Sequence, residues 1–163
     1  MGTGNPHEDT LRRIKRGLSG YISYLAACEM NSAFSEYVLY EPMLRILTAR
    51  GYEVECEYAM PNNEQGDDPR IDFVGNHHDN GRIAIEVKWK KHINPQIQND
   101  FQKLSNYHHQ NGDASCFLCV FGRRSHIEGW VPNVNQFVEF GDPVYADFGQ
   151  TRFGCRIFEL APN

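Results

Sequence analysis

The residues best suited to chemistry are two carboxylates and one ammonium group on neighbouring predicted strands. In residues 82–89 apolar residues alternate with polar ones, so Glu86 and Lys88 lie on the same face of a strand. Asp72 lies on the preceding predicted strand, residues 70–75. Carboxylates that are buried side by side repel each other, so such a cluster requires a partner of high positive charge. A hard divalent cation with oxygen ligands, Mg²⁺ or Mn²⁺, meets that requirement.

The segment between these strands predicts the turn that brings them together. Residues 77–81 read His-His-Asp-Asn-Gly, and Asn-Gly is a strong hairpin signal because both residues tolerate positive φ. We therefore expect the two strands to pair antiparallel. Asp72 then meets Glu86 and Lys88 provided that it points to their face, opposite Ile71 and Phe73.

Hydrophobic spacing predicts the elements that hold this hairpin. A helical stretch at residues 32–50 is interrupted by Pro42, which predicts either a kink or two short helices. A strand, helix, strand order after the hairpin implies a parallel neighbour for the second hairpin strand. The remaining predicted elements are helices at 8–28, 95–110 and 131–140, and strands at 52–58, 115–121 and 154–160.

Pro69-Arg70-Ile71-Asp72 followed by Glu86-Val87-Lys88 resembles the signature of the PD-(D/E)xK nuclease superfamily. The predicted order over residues 32–121 is also similar to that family's core. The resemblance implies an α/β, restriction-endonuclease-like fold (αβββαβ), with a central mixed sheet flanked by helices. We expect one domain, residues 1–163, with an added N-terminal helix and a C-terminal elaboration at residues 122–163.

The same resemblance implies a role for each motif residue. Asp72 and Glu86 would hold one or two metal ions, the backbone carbonyl of Val87 would add a ligand, and Lys88 would align or activate the attacking water. The first core helix often adds an acidic residue in this family, for which Glu36 and Glu41 both qualify. We prefer Glu36, because Glu41 adjoins Pro42 and could instead cap the helix that restarts there. The implied reaction is metal-dependent hydrolysis of a phosphodiester bond.

Basic residues are concentrated around the motif. The chain has a net charge of −5, yet residues 82–124 carry seven basic and three acidic side chains. Lys90, Lys91 and Lys103 are the candidates for phosphate contacts, which give salt-sensitive and largely sequence-independent affinity. The partner predicted is therefore nucleic acid, DNA more than RNA. Cutting both strands of a duplex symmetrically would require a homodimer.

Two other classes of function stay open. The acidic overall charge and modest size suit a non-enzymatic module on the same scaffold that binds nucleic acid or another protein. Alternatively, the face formed by Glu53, Glu55 and Glu57 on one predicted strand suits an inhibitor or immunity-type protein with a basic partner.

Composition excludes several further classes. With 163 residues, of which 40% are hydrophobic, the chain suits one packed domain. No apolar run approaches the roughly 20 residues that span a bilayer, and the N-terminus lacks the order of a signal peptide. The five cysteines are an odd number and lie mostly in apolar patterns, which favours reduced, buried thiols over disulfides. Cys116 and Cys119 would face opposite sides of a strand, which disfavours a shared zinc ion without a second pair of ligands. We expect a soluble, cytoplasmic protein without a membrane partner.

Overall fold

Helices and strands combine into a mixed α/β fold. The computed structural model describes residues 4–30, 34–61, 68–90, 97–148 and 151–161. In chain order the elements are α1 (Glu8–Ala27), a 3-10 helix (Glu36–Leu39), α2 (Tyr40–Ala49), β1 (Glu53–Ala59), β2 (Arg70–His77), β3 (Gly81–Lys90), α3 (Gln98–Gln110), β4 (Ser115–Arg123), α4 (Arg124–Ile127), β5 (Phe137–Glu139), β6 (Val144–Phe148) and β7 (Thr151–Leu160).

Within the described ranges the strands form one mixed sheet in the order β1-β2-β3-β4-β7-β5, with β6 also on β7. Strands β1, β2 and β3 form an antiparallel meander. Strand β4 pairs parallel with β3, as the strand, helix, strand order predicts. The β2–β3 turn forms where Asn-Gly predicts it, with Gly81 at a φ of +79°. Strand β7 then extends the sheet antiparallel to β4.

The helical stretch around Pro42 divides into two elements. The 3-10 helix ends at Leu39 and α2 begins at Tyr40. Pro42 therefore lies in the first turn of α2, where a backbone N–H has no partner within the helix, so the proline costs no hydrogen bond. The break precedes Pro42 because the first turn is where a helix accommodates proline.

Each face of the sheet is covered by its own apolar core. One core packs α1 and α2 against the sheet and includes Leu18, Met43, Phe73, Ile85 and Phe121. The other packs α3 and the segment after β4 against the opposite face and includes Ile71, Ala84, Leu104, Leu118 and Phe158. The alternation along β3 follows the prediction, since Ile83, Ile85 and Val87 all enter the first core.

The prediction for residues 131–140 was wrong. This segment has no helix and contains the three-residue strand β5, which pairs with β7. Strand β6 was not predicted, and it also pairs with β7, whereas the last strand was predicted correctly.

Three cysteines are buried free thiols, as expected, while Cys28 is exposed. Within the described ranges, none of the helices has the length and apolar character that crossing a bilayer requires.

Candidate active site

The candidate site lies where β2 and β3 separate. The two strands pair from the turn as far as Phe73 and Ile85, and no further. Beyond this point the backbone of β2 no longer pairs with β3. The backbone N–H of Val87 instead donates a hydrogen bond to the side chain of Asp72, at 2.7 Å from Oδ2. Asp72 is thereby fixed beside the Glu-x-Lys segment.

A rotation of β1 and β2 explains the direction of the Asp72 side chain. Cys56 pairs with Phe73 and Tyr58 pairs with Ile71, and residues two apart should share a face. The structure instead puts Phe73 in the core under α1 and α2, and Ile71 in the core under α3. The prediction that Ile71 and Phe73 share a face was therefore wrong. The rotation between them directs Asp72 toward the gap between strands.

Tyr40 and Glu57 complete the surroundings of Asp72. The hydroxyl of Tyr40, at the start of α2, lies within hydrogen-bond distance of Asp72 Oδ1 and, at 3.1 Å, of Glu57 Oε1. Its single proton serves one carboxylate at a time. Glu57 has a φ of +53°, a left-handed conformation that costs a non-glycine residue about 1–2 kcal/mol. Such strain persists only where the surroundings impose it, and such sites are often functional.

Glu86 is buried between the sheet and α3. Only 1% of the residue is exposed, and Lys103 Nζ from α3 lies 2.7 Å from its Oε1. The same ammonium lies 3.5 Å from Asp100 Oδ1, one helical turn away. Glu86 Oε1 and Asp100 Oδ2 have ion-pair contacts, but within the described part of the chain neither receives a well-aligned hydrogen bond. Each of these oxygens is paired with an ammonium group, so a metal ion at Glu86 would have to displace Lys103.

Lys88 is held between two elements that flank the sheet. Its Nζ lies 3.1 Å from Asp100 Oδ2 on α3 and 3.4 Å from Glu36 Oε1 on the 3-10 helix. Glu36 Oε1 also accepts a hydrogen bond from the backbone N–H of Trp89 at 3.3 Å. Glu41 is exposed and pairs with Arg45 along α2. The structure thus places Glu36, and not Glu41, beside Lys88.

The cluster contains four carboxyl groups and only two ammonium groups, and this imbalance changes its protonation. Its members are Glu36, Asp72, Glu86, Lys88, Asp100 and Lys103. Burial raises the pKa of Glu86 to about 9, and repulsion from Asp72 adds to the rise, although Lys103 opposes it. Burial alone would lower the pKa of Lys88, but Asp100 and Glu36 raise it overall. The pKa of Lys103 is likewise raised by Glu86 and Asp100 despite burial. Both lysines are therefore charged at neutral pH, and Glu86 tends to hold a proton.

The donor set suits an oxygen-preferring ion rather than a closed metal cage. Among the described residues, no group of three or more His, Cys, Asp and Glu side chains is placed to hold a metal ion. Asp72 and Glu86 would supply two carboxylates. In a strand, the N–H and the C=O of one residue point to the same side. Since the N–H of Val87 points to Asp72, its carbonyl also faces Asp72 and would add a third oxygen ligand to the metal. Oxygen donors of this kind suit Mg²⁺, which keeps several waters when bound.

The other predicted phosphate contacts are placed differently. Lys90 is only 2% exposed, its Nζ donates to the carbonyl of His126, and it lies 4.8 Å from the centre of the Trp130 ring. This burial does not fit the prediction of a phosphate contact, because the ammonium is already satisfied inside the protein. Lys91 lies outside the described residues. Lys103 is in the centre of the cluster, paired with Glu86.

Replacing Glu86 by glutamine should flatten the pH dependence of stability. A carboxyl group with a raised pKa in the folded state binds more protons when folded than when unfolded, so stability falls as pH rises from about 4.5 to about 9. In chelator, the free energy of unfolding of the unmodified protein should fall by up to about 1.4 kcal/mol per pH unit more than that of Glu86→Gln. Urea titrations between pH 6 and 9 measure this difference. Glu55→Gln, an exposed carboxylate on β1, is the control, and parallel profiles for the native protein and Glu86→Gln would contradict the prediction.

Comparison with protein-family models, with curated proteins and with solved structures finds no match for this chain. The site is therefore described by its own geometry.

Sequence reasoning left two participants unassigned to the site. Tyr40 lies in the predicted helical stretch at residues 32–50, and Glu57 belongs to the predicted acidic strand face, and neither pattern links them to Asp72. Asp100 and Lys103 both lie on the helix predicted at residues 95–110, and their spacing of three puts them on one helix face. That spacing was the only signal that could have linked them to Glu86 and Lys88.

Proposed function

We propose that this protein is a metal-dependent nuclease of the PD-(D/E)xK type, with a restriction-endonuclease-like core, that hydrolyses phosphodiester bonds of nucleic acid, DNA more than RNA. The observation that carries the proposal is the position of Asp72 beside the Glu86-Val87-Lys88 segment where β2 leaves β3: Asp72 accepts the N–H of Val87, and its charge acts on Glu86. The order of α2, three antiparallel strands, α3 and a parallel strand supports the proposed core.

Each residue has a role that follows from its contacts. Asp72, oriented by Tyr40 and by the N–H of Val87, and Glu86 would hold a Mg²⁺ or Mn²⁺ ion, with the Val87 carbonyl as a third donor. A bound divalent ion would neutralise charge on the phosphoryl oxygens and make water a better nucleophile near neutral pH. Because Asp100 and Glu36 fix Lys88, its ammonium can orient the attacking water and stabilise negative charge that develops on the phosphoryl group.

Lys103 is the group that contacts Glu86 when no metal is bound. Its Nζ lies 2.7 Å from Glu86 Oε1. Metal binding at Glu86 would require this contact to loosen and the carboxyl group to lose its proton. Affinity for Mg²⁺ should therefore increase with pH across the neutral range.

The test of the proposal is a cleavage assay with supercoiled plasmid, linear duplex, single-stranded DNA and RNA, each with Mg²⁺, with Mn²⁺ and with chelator. We expect cleavage of at least one substrate that depends on the metal and stops in chelator. Direct conversion of supercoiled plasmid to the linear form would indicate a homodimer that cuts both strands. Lack of cleavage with every substrate and both metals would overturn the proposal.

An exposed aromatic ring beside the site should contribute to substrate binding. Tyr37 is 74% exposed, and its ring centre lies 5.4 Å from that of Tyr40. Stacking of a base on an aromatic ring contributes about 1–3 kcal/mol, so Tyr37→Ala should raise KM for single-stranded DNA by roughly 5- to 160-fold. Tyr37→Phe should change KM less than twofold. Steady-state kinetics measure this effect, with Tyr24→Ala, an exposed tyrosine on α1, as the control. An unchanged KM for Tyr37→Ala would contradict the prediction.

One observation favours a second candidate, a module on the same scaffold that binds nucleic acid without cleaving it. The contact between Lys103 and Glu86 already places a cation at the carboxylate that a metal would use. This candidate predicts DNA binding that is unchanged by chelator, together with no turnover. Titration with Mn²⁺ followed by electron paramagnetic resonance separates the two, because only the nuclease binds the ion through Asp72 and Glu86.

A further inference from the structure

The groove between α1 and α2 concentrates positive charge on a protein that is acidic overall. It has a volume of about 630 Å³ and is lined by Arg12, Arg13, Arg16 and Arg50, and among the described residues Asp9 is its only acidic lining residue. The complete chain has a net charge of −5. The groove therefore has the opposite sign to the protein as a whole.

The single carboxylate is shared by three of the four arginines. Asp9 accepts hydrogen bonds from Arg13 Nε at 3.0 Å and Arg12 Nη2 at 3.1 Å, both on α1. It also forms an ion pair with Arg50 Nη2 at 2.7 Å, at the end of α2. The two hydrogen bonds from α1, from Arg13 first and then Arg12, lower the pKa of Asp9. Arg16 has no ion pair or hydrogen bond with any residue in the described part of the chain. One negative charge thus faces four positive charges.

Close packing of the two helices leaves the floor of the groove open. The floor is formed by Gly17, Ile46 and Ala49. A Cβ atom at Gly17 would lie 3.1 Å from Ile46 Cδ1, so glycine permits the close approach of the helices. Within the described part of the chain, the floor between the guanidinium groups is therefore formed by these three residues alone. The side chains of Arg12, Arg13 and Arg50 are 50%, 57% and 39% exposed.

We propose that this arginine groove binds the phosphodiester backbone of a nucleic acid at a second site, apart from the candidate active site. The chemistry fits, because guanidinium groups bind phosphate oxygens in pairs and phosphate contacts provide most non-specific affinity. The identity of the ligand rests on the proposed function. Helix α2 joins the two places, with Tyr40 beside Asp72 and Ala49 in the groove. Its ten residues span about 15 Å, which corresponds to four or five nucleotides of one strand.

Binding of fluorescent DNA in chelator tests the groove without cleavage. The double variant Arg13→Gln/Arg16→Gln removes two guanidinium groups and leaves Arg12 and Arg50 to pair with Asp9. For a 20-nucleotide single strand and a 20-bp duplex, we expect Kd to rise at least about tenfold at low salt. The slope of log K against log salt should fall by roughly 1.5 to 2, because two phosphate contacts are lost. Arg45→Gln, an exposed arginine on α2 outside the groove, should change Kd less than twofold.

Hydrolysis of a small substrate, bis(p-nitrophenyl) phosphate, separates this inference from the proposed function. The double variant should hydrolyse it at the rate of the unmodified protein, because the ester is too short to reach the groove. If the unmodified protein cleaves neither this ester nor any nucleic-acid substrate, the nuclease proposal fails, while the binding data still test the groove. Equal DNA affinity of the double variant and the native protein would overturn the inference. So would absence of DNA binding, or poly-glutamate binding at the groove as tightly as DNA.

Discussion

Replacing Asp72 by asparagine is expected to lower the rate of nucleic-acid cleavage by about 10³-fold or more, with little change in stability. Asparagine keeps the size of the side chain, and its oxygen can still accept the N–H of Val87. The substitution removes the charge of one of the two carboxylates, Asp72 and Glu86, that would hold the metal. Single-turnover cleavage at saturating Mn²⁺ measures the loss, and thermal denaturation in chelator measures stability.

Asp79 offers a matched control for this substitution. It lies in the turn of the same β2–β3 hairpin, its side chain is 78% exposed, and its contact is with His78. Asp79→Asn should leave the cleavage rate within about twofold, because charge in the turn does not reach the site. If Asp72→Asn cleaves within threefold of the native rate, the two-strand site proposed here is wrong. A rate loss with both variants would point to an effect of the hairpin as a whole.

Replacing Lys88 by methionine is expected to lower kcat by about 10²- to 10³-fold, while affinity for Mn²⁺ changes less than threefold. Methionine keeps most of the length of the side chain but not its charge. The ammonium contacts Asp100 and Glu36 and has no place among the metal ligands, so its loss should affect the chemical step and not ion binding. Single-turnover kinetics and Mn²⁺ titration measure the two quantities separately.

Lys88→Arg shows whether the charge alone is sufficient. Arginine retains the positive charge that Asp100 and Glu36 require, so the protein should be more stable than Lys88→Met. Its planar guanidinium group cannot take the position of the compact ammonium group, so we expect only partial recovery of kcat. Full activity in Lys88→Met would exclude a role for Lys88 in the reaction. A parallel loss of Mn²⁺ affinity would make the lysine a structural support of the metal site.

The sequence predicted the parts of the site that depend on local pattern. Alternation along β3 correctly placed Ile83, Ile85 and Val87 on one face, which leaves Glu86 and Lys88 together on the other. The Asn-Gly turn correctly indicated the antiparallel partner that carries Asp72. Both inferences follow from geometry within a few residues, which distant segments rarely change.

Hydrophobic periodicity did not predict the exposure of residues whose surroundings are set by another segment or by a change of helix type. Lys90 continues the alternation of Glu86 and Lys88, yet His126 and Trp130 after β4 enclose its ammonium. Tyr37 lies in the helical stretch predicted at residues 32–50, but the 3-10 helix that forms there has three residues per turn, so an α-helical apolar stripe does not continue into it. The ring is consequently exposed beside the site.

The sequence by itself determined which residues share a strand face and where the chain turns, because these properties follow from the period of an extended chain and from the freedom of glycine. Tertiary structure alone decided the environment of the charges. The separation of β2 from β3 fixes Asp72, α3 supplies Asp100 and Lys103, and the 3-10 helix supplies Glu36. The burial and the pKa of a group depend on all the segments that pack around it, and the spacing of residues along one strand or helix does not encode their combined effect.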